Sequence, residues 1–395
     1  MDRMRSMICE EIEMIRRGLS TSDLLDYYPE TAEFISPYTL KVGDKIIKSD
    51  KIFLCTGSKP AIPPIKGLDI GYITSDDVIH MHKLPESIII VGGVYIAAEY
   101  GHFFSAMGSK VTIVGRNPQF LPREEPEVSN LAKRELSKYM DIMVNKEVLE
   151  LKKKDSRKQV IARDRETDDI IKVEGEEVLI AAGRASNSDI LHPERAGIET
   201  DEKGWIKVNE YLETNQPGVW AFGDADGKYL FKHVANYEST IVYYNAILGK
   251  KVKVDYHAIP SAVFTYPEIA SVGLREKGAI EKYGIEGVDI GFYKYENTAK
   301  GEAIGAKGYF VKIIFESRTN RILGAHIIGP WASILIQEII DLMYTEDRHP
   351  YPIYNGMHIH PSMSGVVERA FYSIMPVHEY HELLSEEGLE YTISI

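Results

Sequence analysis

The sequence predicts an α/β protein: a parallel-sheet unit with a glycine turn, further strands on either side, and a separate α+β block toward the C-terminal end. Three observations carry this expectation. Residues 87–116, SIIIVGGVYIAAEYGHFFSAMGSKVTIVGR, run from an apolar strand through Gly92-Gly93 into a helical spacing and then a second strand. Two more apolar runs, 178–184 and 218–226, also end at glycines, as buried parallel strands do. From Tyr256 the character changes to short alternating runs, with apolar helices expected at 331–344 and 366–374.

Taken in order, residues 1–17 have a helical pattern. Met4, Ile8, Ile12 and Ile15 share one face, Glu13 and Arg17 form an i,i+4 pair, and Gly18 is the expected stop. A domain seldom opens on an amphipathic helix with no preceding partner, so the pattern points to a segment upstream. Short strands are expected at 32–35, 39–42 and 45–47. Residues 50–60, DKIFLCTGSKP, read as an apolar strand running into a glycine turn, with Cys55 in the core. Residues 60–83 carry Pro60, Pro63, Pro64 and Gly67 and read as an interdomain connector. In the central unit, Ile96, Tyr100, Phe103, Phe104 and Met107 recur at three- and four-residue spacing until Gly108. Residues 131–139 look helical, 144–174 alternate like edge strands with one wet face, and 231–248 read as a helix closed by Gly249. The last block should hold strands at 262–264, 270–272, 289–295, 310–315 and 322–328.

Composition removes several classes of function. A net charge of −13 argues against nucleic acid and anionic membrane surfaces. Two cysteines, Cys9 and Cys55, form no disulfide framework and lack metal-ligand spacing, so no metal site is expected. No apolar run reaches the ~18 residues of a membrane span and no signal-peptide pattern opens the chain, which makes a reducing, cytoplasmic setting the expectation.

Strand, glycine turn, helix and strand in that order form the βαβ unit that holds a dinucleotide. Its pyrophosphate lies at the helix N-terminus, where backbone N–H groups and the dipole favour an anion. Against the fingerprint G-x-G-x-x-G/A, Gly92 supplies the tight turn, Ala97 is the small third residue, and Val94 replaces the middle glycine. A branched side chain there takes up space that the pyrophosphate uses, so the alternative is a βαβ unit kept for packing. Where NAD sites place an acidic residue for the ribose hydroxyls, this chain has Gly115 followed by Arg116. A guanidinium there favours a 2′-phosphate, hence NADPH over NADH, unless Arg116 is a solvated surface residue.

Five segments resemble, in order and spacing, the class I pyridine-nucleotide disulfide oxidoreductases, the family of dihydrolipoamide dehydrogenase, mercuric reductase and glutathione reductase. CTGSKP (55–60) looks like A-T-G-S-x-P, and IIIVGGVYIAAEYG (88–101), with Tyr95 and Glu99, is similar to the nucleotide motif. AAGRASN (181–187), with Gly183, Arg184 and Asn187, resembles A-T-G-R-x-P-N. VWAFGDAD (219–226) looks like the second flavin motif, and HIHPSMSG (358–365) resembles H-x-H-P-T-x-S-E. The resemblance implies an α/β fold in which a Rossmann-like NAD(P)-binding domain, 81–185, is inserted in a truncated FAD-binding domain, 1–80 and 186–254. An α+β dimerisation domain, 255–395, would follow and form a two-fold homodimer. FAD and NADPH or NADH are the implied cofactors, with hydride passing between nicotinamide and flavin as in dihydrolipoamide dehydrogenase.

The resemblance also implies roles. Gly223 and Asp224 would hold the flavin ribityl chain and phosphate, Thr56 and Gly57 would lie beside the phosphate region, and His233 and Ala235 would pass the isoalloxazine edge. Gly92, Val94, Tyr95, Ala97, Glu99 and Arg116 would belong to the nucleotide site, and Gly183 and Arg184 to the cofactor-binding set. As plain local structure, Asp224 would instead cap the helix before Phe231. His360 matches the family's acid–base histidine, which reaches the redox cysteines of the other subunit. The glutamate that orients it is here Gly365, and Glu368 lies too far along the pattern to replace it. The family's opening flavin fingerprint and C-x4-C disulfide have no counterpart before CTGSKP. FAD would then bind weakly, or at a surface completed by a separate chain, and disulfide chemistry would be absent from this polypeptide. Glu99, lacking its family lysine, should be solvated. A catalytically inactive dimeric scaffold or nucleotide-binding module is the alternative.

Overall fold

A computed structural model of the chain describes residues 1–386. They divide into two compact units, one of Met1–Pro63, Thr74–Lys83 and Gly183–Asp255, the other of Pro64–Ile73, Leu84–Ala182 and the chain from Tyr256.

The first helix, α1 (Asp2–Ser20), keeps its apolar residues Met4, Ile12 and Ile15 exposed. It passes through Gly18 instead of stopping there, because the Ser20 and Thr21 hydroxyls donate to the carbonyls of Arg16 and Arg17 and close the last turn. Strands β1 (Ala32–Ser36), β2 (Thr39–Val42) and β3 (Lys45–Lys48) form an antiparallel sheet. In β4 (Ile52–Leu54) the period of two turns Ile52 and Leu54 inward and Phe53 outward. Cys55 follows Phe53 to the outer face and is exposed, which corrects its expected place in the core. Next come β5 (Ser58–Pro60) and α2 (Ser75–Val78).

The central unit holds β6 (Ser87–Val91), α3 (Tyr95–Ala106), β7 (Lys110–Val114), α4 (Pro126–Leu136) and β8 (Asp141–Met143). The helix expected at 131–139 begins earlier because Pro126, at its first turn, is preset for a helical φ. Strands β9 (Lys146–Lys154), β10 (Arg157–Asp164) and β11 (Ile170–Gly175) pair antiparallel. Then β12 (Glu177–Ile180) returns to a parallel sheet of order β12-β6-β7-β8. The buried side of α3 is Ala97, Ala98, Gly101 and Phe104, while Met107 of the periodic apolar set is exposed. A Cβ on Gly101 would stand 2.9 Å from Ile113 Cδ1, so small residues are what lets this helix lie close on the sheet.

In the first unit β13 (Arg184–Ser186) pairs antiparallel with β5, and β14 (Val219–Ala221) pairs parallel with β4. Helix α5 (Lys232–Val242) continues as a π-turn, Tyr243–Ile247, before Gly249. The C-terminal block is built on β15 (Pro260–Val263), β16 (Glu268–Gly273), β17 (Val288–Lys294), β18 (Phe310–Glu316), β19 (Arg321–Gly329) and β20 (Ile374–Pro376). They form one antiparallel sheet of order β15-β16-β19-β18-β17-β20. Around it lie α6 (Glu276–Tyr283), α7 (Ala299–Ala303), α8 (Ala332–Leu335), α9 (Gln337–Met343), α10 (Tyr351–Asn355), α11 (Ser364–Tyr372) and α12 (Val377–Glu386). The single helix expected at 331–344 is thus two, and the one at 366–374 ends at Tyr372, leaving Ile374 to open β20. No described helix is long and apolar enough to cross a membrane.

Candidate functional site

In the first unit, pairing of β5 with β13 sets Ser58 against Arg184. The guanidinium donates from Nε to Ser58 Oγ at 2.9 Å and from Nη2 to Ser58 O at 2.6 Å. Ser58 Oγ donates in turn to Asp224 Oδ2. Asp224 lies in a 3₁₀ turn, Gly223–Ala225, that follows β14 directly, and no side chain caps α5, so the capping alternative is overturned. Asn187 Nδ2 donates to Thr56 O at 3.1 Å. Gly223 has φ +64, its Cβ position is 3.0 Å from Ala235 Cβ, and its N–H donates to the buried Glu238 carboxylate at 2.6 Å. Both residues of the 223/235 contact must therefore be small. His233 is exposed and stacks on Phe231 with ring centroids 5.2 Å apart.

Thr56 Oγ1 is buried with no hydrogen-bond partner among the described residues. An orphaned buried hydroxyl costs about 1–3 kcal/mol unless something meets it. Beside it Gly57, at φ +70, borders open space, and so does Gly183, at φ +123. An unmatched hydroxyl, a held carboxylate and side-chain-free backbone are what a polyol–phosphate ligand needs, and these residues fit that part of a flavin.

In the second unit, Gly92 ends β6 at φ +147, and a Cβ there would lie 2.1 Å from Ala181 O. Only glycine can occupy it. Gly93 and Gly115 approach so closely that a Cβ on either would be 3.3 Å from the other's Cα, which explains the glycine at the end of β7. Val94 is the extended residue immediately before α3, partly exposed, and Ala97 is fully buried. The turn and helix N-terminus have the form that binds a pyrophosphate. Arg116 is largely exposed, with Nε 3.5 Å from Glu147 Oε1, while Arg163 takes the other oxygen at 2.8 Å. Exposed pairs of this kind contribute little, so the pair does not commit Arg116. Glu99 is half-buried and accepts from the Phe264 amide at 2.9 Å, which corrects its expected solvation. Burial pushes its carboxyl up, and the Phe264 amide offsets part of that.

In the C-terminal block His358 is the supported imidazole. Its Nε2 lies 3.2 Å from Glu338 Oε2 and its Nδ1 3.7 Å from Glu368 Oε1. His360 is exposed two residues on, and Gly365 borders open space. Glu338 therefore meets His358 Nε2, while Glu368 lies near His358 Nδ1 without a hydrogen bond to it.

One buried ion cluster was missed from sequence. Lys312, in β18, is completely buried, and its Nζ donates to Glu125 Oε2 at 2.7 Å, Glu127 Oε1 at 2.6 Å and Glu276 Oε2 at 2.7 Å. The three carboxylates converge as they would on a metal ion, but the ammonium is the cation among them. Tyr380 Oη donates to Glu127 Oε1 at 2.7 Å, and His381 Nε2 lies 2.7 Å from Glu276 Oε1. Burial opposes ionisation of Glu276, yet Lys312 and His381 hold its carboxyl down at about 2. The signal was legible as one lysine inside the apolar run FVKIIF (310–315) and the acidic run PREEPE (122–127).

The chain matches the family described as pyridine nucleotide-disulphide oxidoreductase over residues 8–239, and the dimerisation domain of that family over residues 259–371. It is 34% identical to a dihydrolipoyl dehydrogenase of Synechocystis sp. over 345 residues, covering 84% of this chain and 72% of that protein. It is 36% identical to a mycothione reductase of Mycobacterium tuberculosis over 328 residues, covering 82% and 70%. Among solved structures, the HOCl-induced flavoprotein disulfide reductase RclA from Escherichia coli superposes with a TM-score of 0.78 at 28% identity, covering 87% of this chain and 78% of that one.

Proposed function

Because the chain belongs to the pyridine nucleotide-disulphide oxidoreductase family, we propose that it acts as a flavin-dependent NAD(P)H oxidoreductase of dihydrolipoamide dehydrogenase type. The observation that carries this reading is the meeting of three separated motifs: Arg184 on Ser58, Ser58 on Asp224, and Asn187 on Thr56. Thr56, Gly57, Gly183, Arg184, Gly223 and Asp224 would hold FAD, with His233 and Ala235 at its ring edge. When bound, the flavin supplies two-electron exchange with nicotinamide. The chain's own contribution is orientation. Arg184 fixes Ser58, and Ser58 fixes the Asp224 carboxylate, so an acceptor for a polyol hydroxyl is set before the ligand arrives. Thr56 Oγ1 offers a second polar contact. Gly92, Val94, Tyr95 and Ala97 would border the dinucleotide pyrophosphate, with Glu99 farther along the same helix, and Arg116 would meet a 2′-phosphate, which favours NADPH.

The domain limits 1–80, 81–185, 186–254 and 255–395 belong to this proposal. So does a homodimer through the C-terminal block, whose exposed Trp331, Ile334, Met357 and Ile359 supply apolar surface for it. His360, exposed in the same loop as Met357 and Ile359, is proposed as the acid–base residue offered to the other subunit. Completion of the flavin site by a separate chain is also proposed; exposed Phe53 and Cys55 beside β4 are the surface it would cover. The test is a visible spectrum of the protein purified alone and with the product of its neighbouring gene. Flavin bands that NADPH bleaches are expected in one of the two preparations, and their absence from both refutes the proposal.

A second reading, a non-catalytic dimeric scaffold or nucleotide-binding module, is favoured by the two free, exposed cysteines and by the open space beside Gly365, where no carboxylate follows His360. As a scaffold it predicts a folded dimer that binds neither FAD nor NADPH. Micromolar binding of either in calorimetry excludes that scaffold.

A further inference from the structure

Tyr95 opens α3, at the helix end where a pyrophosphate would be bound. Its hydroxyl meets the carboxylate of Glu124, a residue only 2% exposed, and the side chain of Arg123 meets the same hydroxyl. Glu124 is not one of the carboxylates on Lys312, so the buried ion cluster does not account for it. Its second bond comes from the C-terminal block, where Ser271 Oγ, on β16, donates to Glu124 Oε2. The backbone around it is pinned from two sides. Arg275 Nη1 donates to Pro122 O at 3.2 Å and Glu124 O at 3.3 Å. Leu121 N donates to Gly93 O at 2.9 Å, and Glu124 N to Leu121 O at 3.0 Å, which ties the segment to the glycine turn itself.

We propose that Glu124, held by Ser271, is a positioning residue for Tyr95, and that through Tyr95 it sets the affinity of the chain for a nicotinamide dinucleotide; the affinity clause rests on the nucleotide reading above. A buried carboxylate is costly unless its lone pairs are used. Here they are used on a tyrosine beside the glycine turn. A phenol that donates to a fixed carboxylate and accepts from Arg123 keeps one ring orientation, so the side chain is ordered before the ligand arrives and ordering it no longer subtracts from binding. The groups facing the carboxylate are Tyr95, Ser271, Arg275 and Glu125, and Arg123 faces the Tyr95 hydroxyl. Burial first, and the Glu124 charge second, raise the Tyr95 hydroxyl to about 12, so it stays a donor at neutral pH.

The test uses the full chain labelled with fluorotyrosine, with the Tyr95 fluorine resonance identified by its loss in Tyr95→Phe. That resonance should shift in Glu124→Leu and, by less, in Ser271→Ala, which serves alone should Glu124→Leu fail to fold. NADPH Kd from calorimetry should rise about two- to tenfold in Tyr95→Phe and in Glu124→Leu, and no further in the double variant. A Tyr95 resonance unmoved by both Glu124→Leu and Ser271→Ala, or additive losses in the double variant, overturns the proposal. Wild-type protein that binds neither NADPH nor NADH overturns the nucleotide reading and the affinity clause with it. The fluorine resonance then still decides whether Glu124 positions Tyr95.

Discussion

Replacing Lys312 with methionine keeps the length of the side chain and removes the one ammonium among three buried carboxylates. The loss can be worked from Glu276 alone. Lys312 and, in smaller part, His381 hold its carboxyl at about 2 against an ordinary 4.5, a gap that corresponds to about 3 kcal/mol of stability at neutral pH and of which Lys312 carries the larger share. Removal of one member of a buried ion pair costs about 3–5 kcal/mol by independent measure, because the other member is left uncompensated. Lys312→Met should therefore lower unfolding free energy by about 3–5 kcal/mol at pH 7.5, read from the guanidinium midpoint by tryptophan fluorescence. The pH dependence between pH 7.5 and 5.5 should also change. In the wild type the Glu276 carboxyl is depressed, so its contribution is present above pH 4.5 and is lost as pH falls toward about 2. In the variant the ammonium is gone and only His381 stays beside Glu276, so burial raises Glu125 and Glu127, and acidification from pH 7.5 to 5.5 should stabilise the protein. A loss below about 1 kcal/mol, or a variant that weakens between pH 7.5 and 5.5, would refute the reasoning.

Gly92→Ala should cost at least about 2 kcal/mol in a thermal melt, since its Cβ would stand 2.1 Å from Ala181 O at φ +147; a wild-type melting temperature would contradict the close approach. Val94→Gly should tighten NADPH binding by about tenfold in calorimetry if the valine crowds the pyrophosphate, and an unchanged Kd removes that steric argument. Arg116→Ala should weaken NADPH by about tenfold and leave NADH within about twofold, because the charge-assisted bond to a 2′-phosphate is the difference between the two ligands. Equal loss for both would show Arg116 to be a surface residue.

Much of the molecule follows from local pattern. The all-apolar β6, the glycine that only Gly92 can be, and the small Ala97 on the sheet-facing side of α3 are each dictated within a few residues of chain. The five motifs likewise announced which segments the proposed cofactor site draws on, since turns that admit a phosphate need glycine at fixed offsets. Errors arose where neighbours distant in sequence decide the outcome. Cys55 reads as core from its apolar flanks, yet the register of β4 on β14 sends it out with Phe53. Glu99 reads as unpaired, yet the amide of Phe264, far along the chain, reaches it.

The sequence by itself determined the order of strands and helices, the glycine turns and the residue types available for binding, because these depend on backbone sterics and on hydrophobic periods of two and 3.6. Only the tertiary structure decided which charges meet. Lys312 and Glu127 are far apart along the chain and share no periodicity, yet they lie 2.6 Å apart, both fully buried. A buried charge is tolerated only where an opposite one is brought to it, and which one arrives is set by how the sheet, α4, α6 and α12 pack.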